Sequence, residues 1–205
     1  MIRTLLQPRA LLIAMMGIGA LGLLFVLVSG MQPTDKPWED RAAPLRVGEM
    51  ADVTIPDLRR PAPDLMLVSA DPGTKPVLLS QLVAKGQPTV VNLWASWCAP
   101  CLEELPSLIA LGERTGARIV PVAMEPVSAA IGDAVRRAEV EGRFPVWVDP
   151  ELGALRAYGT GLQLPTTILY DAGGREVARL TGAADWASPE AVRLIEAIAE
   201  GRDLR

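Results

Sequence analysis

Val90-Val91-Asn92-Leu93-Trp94-Ala95-Ser96-Trp97-Cys98-Ala99-Pro100-Cys101 carries both cysteines of the 205-residue chain, directly after an apolar run. Val90 to Trp94 has the β-branched and aromatic content of a buried strand. A CxxC pair at a strand-to-helix turn can close a small disulfide ring, with its first sulfur at the helix N-terminus. Unpaired backbone N–H groups and the positive end of the helix dipole stabilise a thiolate there. That thiolate is the attacking species in thiol–disulfide exchange.

Other roles for the pair are weaker. A zinc cage takes four Cys, His or carboxylate ligands, and a chain with two cysteines and no histidine supplies only two sulfurs. A disulfide closing so short a loop removes little chain entropy. An inert core pair does not suit an element junction beside Pro100. The lack of histidine also removes Ser-His-Asp hydrolysis, Cys-His proteolysis and haem or copper ligation through imidazole. No metal and no cofactor is expected beyond a redox-active Cys98–Cys101 disulfide.

Upstream, Arg3 and Arg9 precede residues 10–28, which carry no charge, and the first acidic residue is Asp35. At roughly 1.5 Å per helical residue this run spans a bilayer and exceeds the usual signal-peptide core. Positive charge before the span puts residues 1–9 in the cytoplasm and the rest of the chain outside. The alternative is cleavage near Gly30, which would release a soluble exported form. Gly17-Ile18-Gly19-Ala20-Leu21-Gly22 matches a dinucleotide fingerprint by letter, but inside an apolar span it lacks the strand–helix context that gives the motif meaning. Beyond residue 30 the chain holds 18 basic and 24 acidic residues, a net charge of −6. Nucleic-acid binding is therefore not expected.

Prolines at 33, 37, 44, 56, 61 and 63 among charged and small residues give residues 29–60 the composition of an extended linker. Residues 61–205 are expected to form one domain. Leu65 to Val68 and Val77 to Leu79 flank the turn signal Asp71-Pro72-Gly73 and read as a hairpin. The strand Thr89 to Trp94 leads into a helix with Leu102, Leu105, Leu108 and Ile109 on one face, kinked at Pro106 and running up to Gly112. Arg118 to Ala123 reads as a strand, Ser128 as the start of a helix, Phe144 to Val148 as a strand and Asp149-Pro150 as a helix start. Thr166 to Tyr170 and Glu176 to Leu180 form a hairpin, and Ser188-Pro189 opens a last helix. This order predicts an α/β fold, a mixed sheet flanked by helices on both faces with an N-terminal β-hairpin extension.

The active-site run, Pro106 and Leu164-Pro165-Thr166-Thr167 before a strand together resemble the thioredoxin superfamily. Within it the chain is similar to the TlpA, ResA and DsbE group of membrane-tethered periplasmic thiol:disulfide oxidoreductases. Ala184-Asp185-Trp186-Ala187-Ser188 resembles the TlpA branch most. The resemblance implies that Cys98 is the nucleophile, Cys101 the resolving thiol and Pro165 a cis-proline facing the disulfide. Trp97, Leu164 and Pro165 would then contact substrate, an extended segment pairing with the Leu164 backbone. An ordinary loop proline is the alternative at 165. Asn92 stands where thioredoxin has a buried aspartate. Glu104 matches the glutamate of the ResA and DsbE motif and, one turn past Cys101, would take its proton; the alternative is a solvated helix glutamate beside Glu103.

The resemblance further implies a reductase of specific protein disulfides in cytochrome c maturation or cytochrome oxidase assembly. A membrane thiol-electron transporter would reduce it, and its own N-terminal helix would hold it to the membrane. A disulfide oxidant or isomerase of exported proteins is the alternative. A peroxide reductase fits less well, because Cys98 lacks a Thr/Ser-x-x-Cys setting, and a non-catalytic binding module would not need the two thiols.

Overall fold

A computed structural model describes residues 42–205 apart from 72, 84, 85 and 160. The expected anchor, residues 10–28, lies outside the described residues. Among the described residues no helix is long and apolar enough to cross a membrane.

Seven strands form one mixed sheet: β1 (Met66–Ser69), β2 (Val77–Leu78), β3 (Thr89–Trp94), β4 (Arg118–Ala123), β5 (Trp147–Val148), β6 (Thr166–Tyr170) and β7 (Glu176–Thr181). Their spatial order is β2-β1-β5-β4-β3-β6-β7. β3 pairs parallel to β4 and antiparallel to β6, and β5 pairs parallel to β4. The opening hairpin joins through β1, antiparallel to both β2 and β5. Among the described residues five helices cover the sheet: α1 (Leu79–Val83), α2 (Ala99–Thr115), α3 (Ala129–Arg137), α4 (Gly153–Tyr158) and α5 (Pro189–Ala199). The fold is thioredoxin-like.

The period of two along β3 sorts its side chains between two cores. Val90 and Trp94 join the apolar cluster that includes Leu105 and Leu108 of α2 and Leu194 and Ile198 of α5. Val91 and Leu93 join the opposite cluster with Leu79 and Val83 of α1 and Ala154 of α4. Asn92 shares the parity of Val90 and Trp94, which points a polar group into the side covered by α2. Every residue of β3 is buried, so the strand holds the start of α2 against a rigid base.

Three expectations need correction. Residues 42–60 are not a free linker over their described length: Ala42, Leu45, Met50 and Val53 are buried in the core cluster that α5 completes. A 3₁₀ turn, Gly48–Met50, packs on α5. Beyond it the chain runs along β7, where Thr54 and Arg179 exchange backbone hydrogen bonds of 2.8 and 2.9 Å and the Glu176 N–H donates to Arg60 O at 2.8 Å. The compact unit therefore begins well before residue 61. Its prolines shape a strap, and the apolar residues between them fill a gap over α5.

The second correction concerns Asp149-Pro150. Helix α4 starts only at Gly153, because Leu152 takes a left-handed conformation with φ of 52°. Asp149 still acts as its cap from a distance: the Gly153 and Ala154 N–H groups donate to its carboxylate at 3.0 and 2.8 Å. The third is β5, which shrinks from the expected Phe144–Val148 to Trp147–Val148. Helix α2 runs through Pro106 and past Gly112 to a left-handed Gly116 with φ of 72°. Ser188 caps α5 as its sequence suggests, accepting from the Ala191 N–H at 3.2 Å.

Candidate active site

Cys98 is the N-cap residue of α2, extended at φ −91° and ψ 97°, and its side chain makes no capping hydrogen bond. Its backbone is fixed on both sides: the Cys98 N–H donates to Ala95 O at 3.1 Å, and the Leu102 N–H donates to Cys98 O at 3.2 Å. One turn into the helix, Cys101 closes the disulfide, with an S–S distance of 1.99 Å and Cα atoms 5.3 Å apart. Cys98 keeps 6 % of its surface accessible and Cys101 none. Trp97, immediately before them, is 71 % exposed, a large apolar side chain left in solvent at the mouth of the site.

The Leu164–Pro165 peptide is cis. Because β6 runs antiparallel to β3 with Leu93 opposite Thr166, Pro165 lies at the end of β3 from which the dithiol turn departs. The Thr166 hydroxyl donates to Gln163 O at 2.6 Å, and Pro165 O accepts from the Gly182 N–H at 2.9 Å. Topology thus gathers Trp97, Cys98, Cys101, Leu164 and Pro165 at one end of the sheet.

Glu104 is 3 % accessible, whereas its neighbour Glu103 is exposed. The Asn92 Nδ2 group donates to Glu104 Oε1 at 2.7 Å; the Ala184 N–H and the Trp186 indole N–H donate to Oε2 at 3.1 and 3.3 Å. Burial pushes the carboxyl from its ordinary 4.5 up to about 7, against the opposing pull of those three hydrogen bonds. A carboxyl with that proton affinity exchanges protons readily at neutral pH. Asn92 also donates to Thr167 Oγ1 at 2.9 Å, while its own Oδ1 is buried without a partner.

Sequence reasoning missed the clamp on Ser96. The Ser96 N–H and hydroxyl donate to the two oxygens of Glu125, at 2.5 and 2.9 Å, and Arg137 of α3 donates to Ser96 O at 3.2 Å. Residues far along the chain thereby fix the turn two positions before Cys98, and no local pattern marks them. Between α2 and α3 lies a groove of about 670 Å³, with Trp97, Leu102, Pro106 and Ala130 along its walls. A smaller cavity of about 340 Å³ reaches Glu104 past Glu49, Glu103 and Asp185. No three potential metal ligands come together among the described residues.

The AhpC/TSA family profile matches residues 58–177. The thiol-disulfide oxidoreductase ResA of Bacillus cereus is 27 % identical over 138 residues, 66 % of this chain and 76 % of that protein. Among solved structures, a thiol:disulfide interchange protein of the thioredoxin family from Chlorobium tepidum superposes with a TM-score of 0.53 at 25 % identity, covering 68 % of this chain and 98 % of its own. A secreted thiol-disulfide isomerase from Corynebacterium glutamicum shares the fold, with a TM-score of 0.58 at 23 % identity over 73 % of this chain and 92 % of its own. A profile that covers more than half of the chain and spans the dithiol turn, the cis-proline and the sheet between them shows that the chain belongs to the AhpC/TSA family, in its thioredoxin-like ResA and DsbE company.

Proposed function

We propose that this chain is a single-pass, membrane-anchored thiol:disulfide oxidoreductase whose folded domain faces the periplasm and reduces disulfides of specific partner proteins, in cytochrome c maturation or cytochrome oxidase assembly. The observation that carries the chemistry is the asymmetry of the pair. Cys98 caps a helix at the accessible edge, and Cys101 lies sealed one turn deeper on the helix that carries the buried Glu104. In the reduced protein the Cys98 thiolate attacks one sulfur of a partner disulfide, forming a mixed disulfide and expelling a partner thiolate. Glu104 takes the proton of Cys101. The Cys101 thiolate then attacks Cys98 Sγ, which releases the second partner thiolate and closes the Cys98–Cys101 disulfide. The partner gains two electrons, and the dithiol loses them.

Trp97 and the Leu164–Pro165 turn are positioned to receive the partner segment. A membrane thiol-electron transporter returns the two electrons. The anchor reading rests on the uncharged run 10–28 behind Arg3 and Arg9, and the pathway rests on the likeness to ResA and DsbE proteins. Cys101→Ser removes the resolving thiol, so disulfide-linked adducts should accumulate through Cys98 on non-reducing gels of membranes, and peptide sequencing names the partner. A cytochrome or oxidase-assembly protein supports the specialised reductase. A broad set of exported proteins instead marks an oxidant or isomerase, and wild-type activity without adducts refutes dithiol exchange altogether.

A further inference from the structure

Trp186 is fully buried and bound to α2 twice. Its indole N–H donates to Glu104 Oε2 at 3.3 Å, and its backbone N–H donates to Ser107 Oγ at 3.0 Å. Ser107 in turn donates to the Glu104 carbonyl at 2.8 Å. A buried indole N–H needs an acceptor, and a buried carboxylate needs donors. Phenylalanine would fill much of that space without answering either need. The segment that carries Trp186, between β7 and α5, is itself tied down: the Asp185 N–H donates to Glu49 Oε2 at 3.0 Å, and Arg114 donates to Ala187 O.

We propose that Trp186 is a positioning residue for proton transfer at Glu104, its indole N–H holding the carboxylate in place on α2 and favouring the ionised form that accepts the Cys101 proton. This rests on the reading of Glu104 as that acceptor. The surroundings show why a neutral donor matters. Helix α2 contributes Cys101 and Glu103, the 3₁₀ turn Glu49, and the 182–188 segment Asp185; Glu190 of α5 stands beside Gly48 but is paired with Arg193. β3 and β6 add only the neutral Asn92 and Thr167. No lysine or arginine lines the cavity among the described residues. With only acidic charges along the cavity, the ionised carboxylate depends on its three hydrogen-bond donors, and Trp186 supplies one of them from a side chain. That bond lowers the proton affinity which burial raises.

The test isolates the resolving step. Reduced protein is loaded at Cys98 as a mixed disulfide with glutathione, and release of glutathione by Cys101 is timed from pH 5 to 9. In Trp186→Phe the rising limb should move up by about one pH unit, so that release at pH 7 is about fivefold slower. Glu104→Gln should be slow with no limb in this range, and Trp186→Phe should add nothing to it. In the wild-type protein the Trp186 indole N–H resonance should titrate with a midpoint near 7, and in Glu104→Gln it should not. This spectrum needs no tryptophan variant to fold. If Glu104→Gln is slow while Trp186→Phe follows the wild-type profile, the positioning role is wrong and the acid–base role stands. If Glu104→Gln releases glutathione at the wild-type rate and pH dependence, both are wrong. An indole resonance that titrates identically without Glu104 also overturns the proposal.

Discussion

Replacing Glu104 by glutamine should make the oxidised protein more stable at alkaline pH and slower at its chemistry. A carboxyl whose pKa rises from 4.5 in the unfolded chain to about 7 in the folded one binds its proton more tightly when folded. Its stabilising effect is therefore fully present below pH 4.5 and is lost as pH rises through 7. Integrated over that window the loss is about 3 kcal/mol. Glutamine cannot ionise, so it escapes the loss. It also suits the pocket: its carbonyl can keep the Ala184 and Trp186 donors, and its NH₂ meets Asn92, whose unpartnered Oδ1 becomes an acceptor once that amide turns over. Urea unfolding of both oxidised proteins at several pH values from 4.5 to 8 separates this effect from all other carboxylates, which cancel in the difference. The wild type should lose about 3 kcal/mol relative to Glu104→Gln across the range, or about 6–12 °C in Tm. Parallel curves would refute the account of Glu104 as a carboxyl burdened by burial. The same variant should reduce partner disulfides between tenfold and ~10⁴-fold more slowly, so the stability gain would come at the expense of turnover.

In reduced protein at neutral pH, iodoacetamide should label Cys98 well before Cys101, since Cys98 alone retains accessible surface; faster labelling of Cys101 by mass spectrometry would reverse the two roles. Asp149→Ala strands the Gly153 and Ala154 N–H groups and should cost about 2–3 kcal/mol, read as a Tm fall in calorimetry; an unchanged Tm rejects it as the cap of α4. Met50→Ala, at a fully buried position of the strap, should cost about 2–5 kcal/mol as core truncations do, whereas a change within about 0.5 kcal/mol would return the segment to linker status.

Legibility followed the range of the interactions involved. The dithiol turn, β3, the β6–β7 hairpin and the cap of α5 are local patterns, and each stands at or near its expected place. The strap over α5 was hidden because prolines dominate the composition around Ala42, Leu45, Met50 and Val53, and only the alternation of Val53 and Ile55 within residues 51–58 hinted at pairing with a strand. Helix α4 begins three residues late because a left-handed Leu152 has no composition signal of the kind glycine gives. At the site, helical spacing placed Glu104 on the face of Cys101, away from Glu103, but could not show that it is buried. What buries it, Asn92 and the Ala184–Trp186 segment, comes from partners 12 to 82 residues away. The Glu125–Ser96–Arg137 clamp is likewise tertiary and leaves no mark on neighbouring sequence.

The strap has a further consequence at the rim of the sheet. β7 is an outermost strand, and a bare outer strand offers a row of amide and carbonyl groups to any extended polypeptide. Here Thr54 and Arg60 occupy positions in that row and Ala62 holds the turn before it, while the opposite rim, β2, is two residues long. For a thiol-disulfide oxidoreductase that meets segments of other chains, such cover guards against zipper-like association with them. A chain shortened to begin after Ala62 would bare β7, and its self-association should rise with concentration even where the dithiol is intact.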